Sequence, residues 1–154
     1  MARLSSASVV ATWFGAGLAP KAPGTWGSVA ALPFAWAIQS WGGSAGLTLA
    51  AALLFLIGWA ASDRLVATTG IKDPQLIVVD EVVGQWLTLA CGPLSIPAYL
   101  IGLVLFRAAD ITKPFPASWA DRKVDGGLGV MLDDVLAAIY SGFGLWLIDR
   151  IVGL

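Results

Sequence analysis

The chain has 154 residues, enough for one domain and too few for two of ordinary size. Apolar residues make up 58% and charged residues 12%, with a net charge of −1, no histidine and one cysteine, Cys91. That composition excludes intrinsic disorder, a basic nucleic-acid-binding surface, an intrachain disulfide, a Cys/His zinc site and any histidine-based mechanism.

Residues 7–18 are mostly apolar and read as an amphipathic entry segment. They do not read as a cleaved signal peptide: only Arg3 precedes the run, Gly15 and Gly17 interrupt it, and Pro20 ends it. Lys21 then precedes Pro23-Gly24-Thr25-Trp26-Gly27-Ser28, a glycine-rich turn entering a helix. Two readings stay open there: backbone amides aimed at an anion, or a plain helix start with Ser28 as N-cap. The spacing is not that of a P-loop.

Residues 22–62 carry no charge. Gly42-Gly43-Ser44 divides them into predicted helices over 28–41 and 45–61. Asp63-Arg64 reads as an interfacial anchor at the start of a first polar station, 63–81. Asp80-Glu81 opens a third helix, 80–90, within a second charge-free stretch, 82–106. Cys91-Gly92-Pro93 and Pro97 separate it from a fourth helix, 98–111. The second polar station, 107–134, begins with Arg107, Asp110 and Lys113, each one helical turn apart. Gly126-Gly127-Leu128-Gly129 reads as a flexible loop, after which Asp133-Asp134 opens a fifth helix over 132–151, with 135–148 free of charge.

Long charge-free stretches point to the membrane, because each charge at the bilayer centre costs roughly 2.5–3.5 kcal/mol on insertion scales. Helix is the natural conformation, since a backbone in lipid must satisfy its own hydrogen bonds. The alternating ten-residue strands of a barrel are missing. The expected fold is an all-α polytopic membrane bundle, one domain over 1–154, with about five apolar helices in two hairpins. Helix 80–90 is short of the roughly 20 residues needed to cross hydrocarbon. The rival architecture is a very apolar soluble bundle that buries its faces by oligomerising, and a homo-oligomer stays open in either case. Hairpins put Lys21, Arg64, Lys72, Arg107, Lys113, Arg122 and Lys123 on one face, which the positive-inside rule assigns to the cytoplasm.

On that face, Gly84 lies one turn from Asp80, and Ala137 and Ala138 lie one turn from Asp133 and Asp134. Small residues there let helices approach and carboxylates converge. Convergent carboxylates without histidine suit a hard cation such as Mg²⁺, and the neighbouring bases suit a phosphate. Each piece also has a bland reading. The acidic pairs can simply complement helix dipoles, and Arg107-Asp110-Lys113 can be an intrahelical charge ladder.

Three strings, KAPGTWGS (21–28), DPQLIVVDEVVGQW (73–86) and FRAADITKPFPASWADRK…GGLGVMLDDVLAAIYS (106–141), resemble the phosphatidylglycerophosphatase A family, in the family's order. Ala108 and Ala109 are smaller than the residues the family commonly has there. The resemblance implies an all-helical protein of the bacterial inner membrane that uses Mg²⁺ to dephosphorylate phosphatidylglycerophosphate on the route to phosphatidylglycerol and cardiolipin. It carries functional weight onto Asp80 and Glu81, onto Arg107, Asp110, Lys113, Asp133 and Asp134, and onto Lys21, Pro23, Gly24, Thr25, Gly27 and Ser28.

The expected site follows. Asp80, Glu81, Asp133 and Asp134 are the candidate metal ligands, and these four with Asp110 are the candidate catalytic groups. Lys21, Gly24, Thr25, Gly27, Ser28, Arg107 and Lys113 are the candidate phosphate ligands. The partners are a phospholipid substrate and the membrane, with no nucleic acid. Other phosphatase chemistries lack their residues: there is no histidine, no Asp-x-Asp, and Pro97 stands where a Cys-x5-Arg loop would need arginine. The alternatives are another metal-dependent membrane phosphotransferase, whose D-G-x2-A-R array is missing, or a non-enzymatic cation-binding membrane protein.

Overall fold

The computed structural model describes residues 5–154, so Arg3 lies outside the described residues. The described regular structure is entirely helical: α1 (Ser6–Ala11), a 3-10 turn (Ala16–Leu18), α2 (Pro23–Thr69), α3 (Val79–Leu89), α4 (Ile96–Thr112), α5 (Ala117–Lys123) and α6 (Gly126–Val152). The entry segment is therefore a six-residue helix and a tight turn. Ser5 caps α1 through its hydroxyl, and Val78 N–H donates to Ala11 C=O at 2.8 Å, tying this segment to the loop before α3.

α2 is a hairpin. Gly43 (φ 63°, ψ −166°) lies outside helical space, which its missing Cβ permits. Gly27 packs against Val78 and Gly58 against Val79, neighbouring residues in sequence. A straight helix would hold those two glycines about 46 Å apart. The chain thus reverses at the predicted break, and arms 23–42 and 44–69 run antiparallel. The first arm starts at Pro23, whose missing N–H is harmless in a first turn. Ser28 consequently lies inside the helix, not at its N-cap, and is fully buried. The second arm runs on to Thr69 and closes on Gly70 in the left-handed conformation.

α3 is the central element, packed between the α2 hairpin and α6, with α4 against both α3 and α6. Close approach rests on small residues: Gly84 abuts Phe106 and the Asp134 carbonyl, Gly102 abuts Leu89, and Gly142 abuts Cys91. Buried polar groups pin the helices. Trp86 Nε1–H donates to Ala31 C=O (3.0 Å), and the Thr88 and Ser141 hydroxyls bond at 2.7 Å. At the hairpin tip, Gln39 Nε2 donates to Gly92 C=O (3.0 Å) and Tyr99 O–H donates to Gln39 Oε1 (2.8 Å).

α6 begins at Gly126, so the 126–129 glycines form its first turns and not a flexible loop. The reason is close packing. Asp63 Oδ1 accepts the Gly127 N–H at 2.5 Å, and a Cβ on Gly127 would meet the backbone of Trp59 and Asp63. Asp63 is thus a cap for α6 rather than a free interfacial anchor.

The outward faces are apolar. Leu49, Leu53, Leu56 and Ile57 on α2, Leu100 and Val104 on α4, and Ile139, Phe143 and Leu147 on α6 are exposed. α2 and α6 are long and apolar enough to cross a membrane. So broad an exposed apolar surface suits lipid rather than water.

Candidate active site

The start of α2, the start of α3, the end of α4 and the third turn of α6 meet around a cavity of about 340 Å³; because α6 begins at Gly126, Asp133 and Asp134 lie inside that helix and do not open it. The first turn of α2 supplies Ala22, Pro23 and Gly24; the loop before α3 supplies Asp73, Gln75 and Ile77; α3 supplies Asp80 and Glu81; the end of α4 supplies Arg107, Asp110 and Lys113; and α6 supplies Asp133 and Asp134. Gly24 is required by space, since a Cβ there would collide with Glu81 Oε1.

Asp80, Glu81 and Asp134 bring carboxylate oxygens within 4.8 Å of one another. At an effective dielectric near 20, unit charges at that separation repel by about 3.5 kcal/mol per pair. Asp80 Oδ1, Glu81 Oε2 and Asp134 Oδ2 are buried with no hydrogen-bond partner among the described residues. Nearby bases neutralise only part of this charge. Arg107 Nη1 donates to Asp110 Oδ2 and stands 3.7 Å from Glu81 Oε1. Lys113 Nζ bridges Asp133 Oδ2 (2.6 Å) and Asp121 Oδ1 (2.8 Å). Burial works against the Lys113 charge, but these two carboxylates outweigh it and hold its pKa above the ordinary value. Asp133 Oδ1 also accepts the Asp134 N–H at 3.0 Å.

Six carboxyl groups therefore line the cavity against two bases. A phosphate dianion entering such a site needs further positive charge. The donor set fits a hard divalent cation: oxygen-only ligands, three of them converging, each with an oxygen unused by protein donors. Asp133 stands beside that trio, committed to Lys113.

Not all the expected residues meet. Lys21, Thr25, Gly27 and Ser28 do not line the cavity. Lys21 precedes α2 and is exposed, whereas α2 starts before the other three, so Gly27 turns onto Val78 and Ser28 into the helix packing. The Thr25 and Trp26 amides close on Ala22 C=O, and Pro23 and Gly24 are the first-turn residues at the cavity. Conversely, Asp73 and Gln75 line the cavity and Asp121 pairs with Lys113, and none of the three is in the expected site. The signal for the first two was their place in the 73–86 string, a few residues ahead of Asp80; Asp121 gave none beyond its charge.

The phosphatidylglycerophosphatase A sequence profile matches residues 9–149. The phosphatidylglycerophosphatase A of Haemophilus influenzae is 42% identical over 139 residues, covering 90% of this chain and 85% of that protein. That of Escherichia coli is 38% identical over 143 residues, covering 92% and 83%. A Bacteroides thetaiotaomicron protein with a provisional description as a phosphatidylinositol-3-phosphatase is 38% identical over 152 residues, covering 86% and 87%. No solved structure matches the chain.

Proposed function

The chain belongs to the phosphatidylglycerophosphatase A family and is a phosphatase, and from that membership we propose that it hydrolyses the terminal phosphomonoester of phosphatidylglycerophosphate to phosphatidylglycerol and inorganic phosphate, in phospholipid and cardiolipin synthesis. The setting is the bacterial inner membrane, with the cavity on the cytoplasmic side. The apolar faces of α2 and α6 support a membrane protein.

The observation that carries the mechanism is the charge imbalance of the cavity, centred on Asp80, Glu81 and Asp134. These three would hold Mg²⁺, with Asp133 in reserve beside them. A divalent ion held there would supply charge neutralisation and would acidify a water. Arg107 and Lys113 face the phosphate and bind its non-bridging oxygens, with the first turn of α2 at Gly24 beside them. Asp110 fixes the Arg107 guanidinium, and Asp133 fixes the Lys113 ammonium, so both cations are held in place before substrate arrives. Phosphate monoesters need accelerations approaching ~10²¹-fold, so several charges acting together are required.

The test is phosphate release from phosphatidylglycerophosphate by the full chain in detergent, with Mg²⁺, then EDTA, then Mg²⁺ restored. A phosphatidylinositol 3-phosphate arm tests the other lipid named among the relatives. Asp80→Asn and Asp134→Asn should abolish release while the protein still purifies as a folded species. Near-wild-type turnover in both variants would overturn the assignment.

A further inference from the structure

Of the six carboxyl groups on the cavity wall, five are committed. Asp110 is held by Arg107 and Asp133 by Lys113. Asp80, Glu81 and Asp134 form the close trio. Carboxylates engaged in these contacts are not free to turn toward a leaving group. The sixth, Asp73, makes no ion pair and no side-chain hydrogen bond among the described residues. Yet the segment that carries it is fixed. Ile77 N–H donates to Pro74 C=O (2.9 Å), Val78 is tied to Ala11, and Gly17 abuts the Leu76 carbonyl.

The reaction needs one proton that the committed groups do not supply. The leaving group is an alcohol oxygen, which departs poorly as an alkoxide. We propose that Asp73 donates the proton to the leaving glycerol oxygen of the lipid phosphomonoester, an inference that rests on the phosphatase reading above. Water adds to phosphorus while the bond from phosphorus to the glycerol oxygen breaks, its electron pair going to that oxygen. The oxygen takes the Asp73 proton and becomes a hydroxyl. The attacking water sheds one proton, which restores Asp73 through solvent. Phosphomonoester plus water thus becomes alcohol plus inorganic phosphate.

The electrostatics agree. The Asp73 side chain keeps contact with water, but the surrounding protein strips enough hydration to raise its pKa above the ordinary value. Lys113 at the end of α4 opposes the rise; Asp121 on α5 and Asp110 on α4 add to it. The adjacent Lys72 is engaged with Asp125 at 3.1 Å, and Asp80 on α3 and Asp133 on α6 line the same cavity. A carboxyl so placed keeps its proton to higher pH than a free one.

The experiment compares two leaving groups in the full chain with Mg²⁺: phosphatidylglycerophosphate, and a long-chain alkylphenyl phosphate whose phenolate departs without a proton. Asp73→Asn should lower kcat on the first by about 10²–10⁴-fold, the range of general acid catalysis. On the second the loss should stay within about 5-fold, since that step needs little of the same catalysis. The part of any alkaline fall of kcat that follows loss of the Asp73 proton should be missing in the variant. Asp73→Glu should recover part of the rate, and unchanged thermal unfolding would show that the fold is intact. Equal losses on both substrates, or no loss on either, overturn the role of Asp73. A wild type that releases phosphate from neither substrate overturns the phosphatase reading, and the role of Asp73 falls with it.

Discussion

Gly24 and Glu81 share one small volume: a side-chain carbon on Gly24 would run into Glu81 Oε1 and press to 3.1 Å from Arg107 Nη1. Gly24→Ala should therefore displace the Glu81 carboxylate without touching its chemistry. An ångström-scale shift at a reacting centre costs about 10²-fold in rate. Gly42→Ala, at a glycine with no neighbour within 4 Å, is the control and should leave activity unchanged. Phosphate release from the two variants checks this.

Relief of repulsion within the trio predicts stability and activity changes of opposite sign. Asp80→Asn, Glu81→Gln and Asp134→Asn each remove one of three closely packed acidic groups. In EDTA, each variant should unfold at or above the wild-type temperature while activity with Mg²⁺ falls at least about 10³-fold. Mg²⁺ should raise the wild-type midpoint by mass action and leave the variants' midpoints unmoved. Lower midpoints in EDTA for all three would mean that the carboxylates stabilise the fold instead of straining it.

Lys113 is the counter-ion of Asp133, whose side chain is only 6% exposed. Lys113→Met should destabilise by about 2–3 kcal/mol. That lies below the ~3–5 kcal/mol typical of a broken buried pair, because Lys113 keeps part of its hydration. Adding Asp133→Asn should restore most of that stability but none of the activity. A double-mutant cycle by denaturant unfolding measures the coupling, and additive effects would show the pair to be energetically silent.

The start of α6 depends on Asp63 and Gly127. Asp63→Ala removes the acceptor of the Gly127 N–H and should cost about 1 kcal/mol, the usual value of a helix cap. Gly127→Ala should cost more, because the new methyl group meets backbone atoms of Trp59 and Asp63 that cannot rotate away. Thermal midpoints of the two variants give the order directly.

The helical class was legible in the sequence because charge-free stretches and their breakers are strong local signals, and the reversal at Gly43 falls where Gly42-Gly43-Ser44 marks it. The meeting of Asp80 and Glu81 with Asp134 was legible too, since each stands at a boundary between polar and apolar sequence. The details set by tertiary packing were not. Gly126–Gly129 looks like a loop until Asp63 and Trp59 take up the space beside it. Ser28 looks like a cap until Pro23 starts the helix a turn and a half earlier. Asp73 sits in a loop with no periodicity, and only the folded cavity gives it neighbours.

The reversal of α2 has a consequence for how the carboxylates keep their separation. Its first turn touches Glu81, and its second arm, through Asp63, seats the start of the helix that bears Asp134. One continuous element thus gauges the distance between ligands that are 53 positions apart in the chain. An extra residue inserted midway along either arm would rotate everything beyond it by about 100° and advance it by about 1.5 Å. The same insertion in the Gly42–Ser44 bend, which touches little else, would be absorbed there and leave the gauge unaltered.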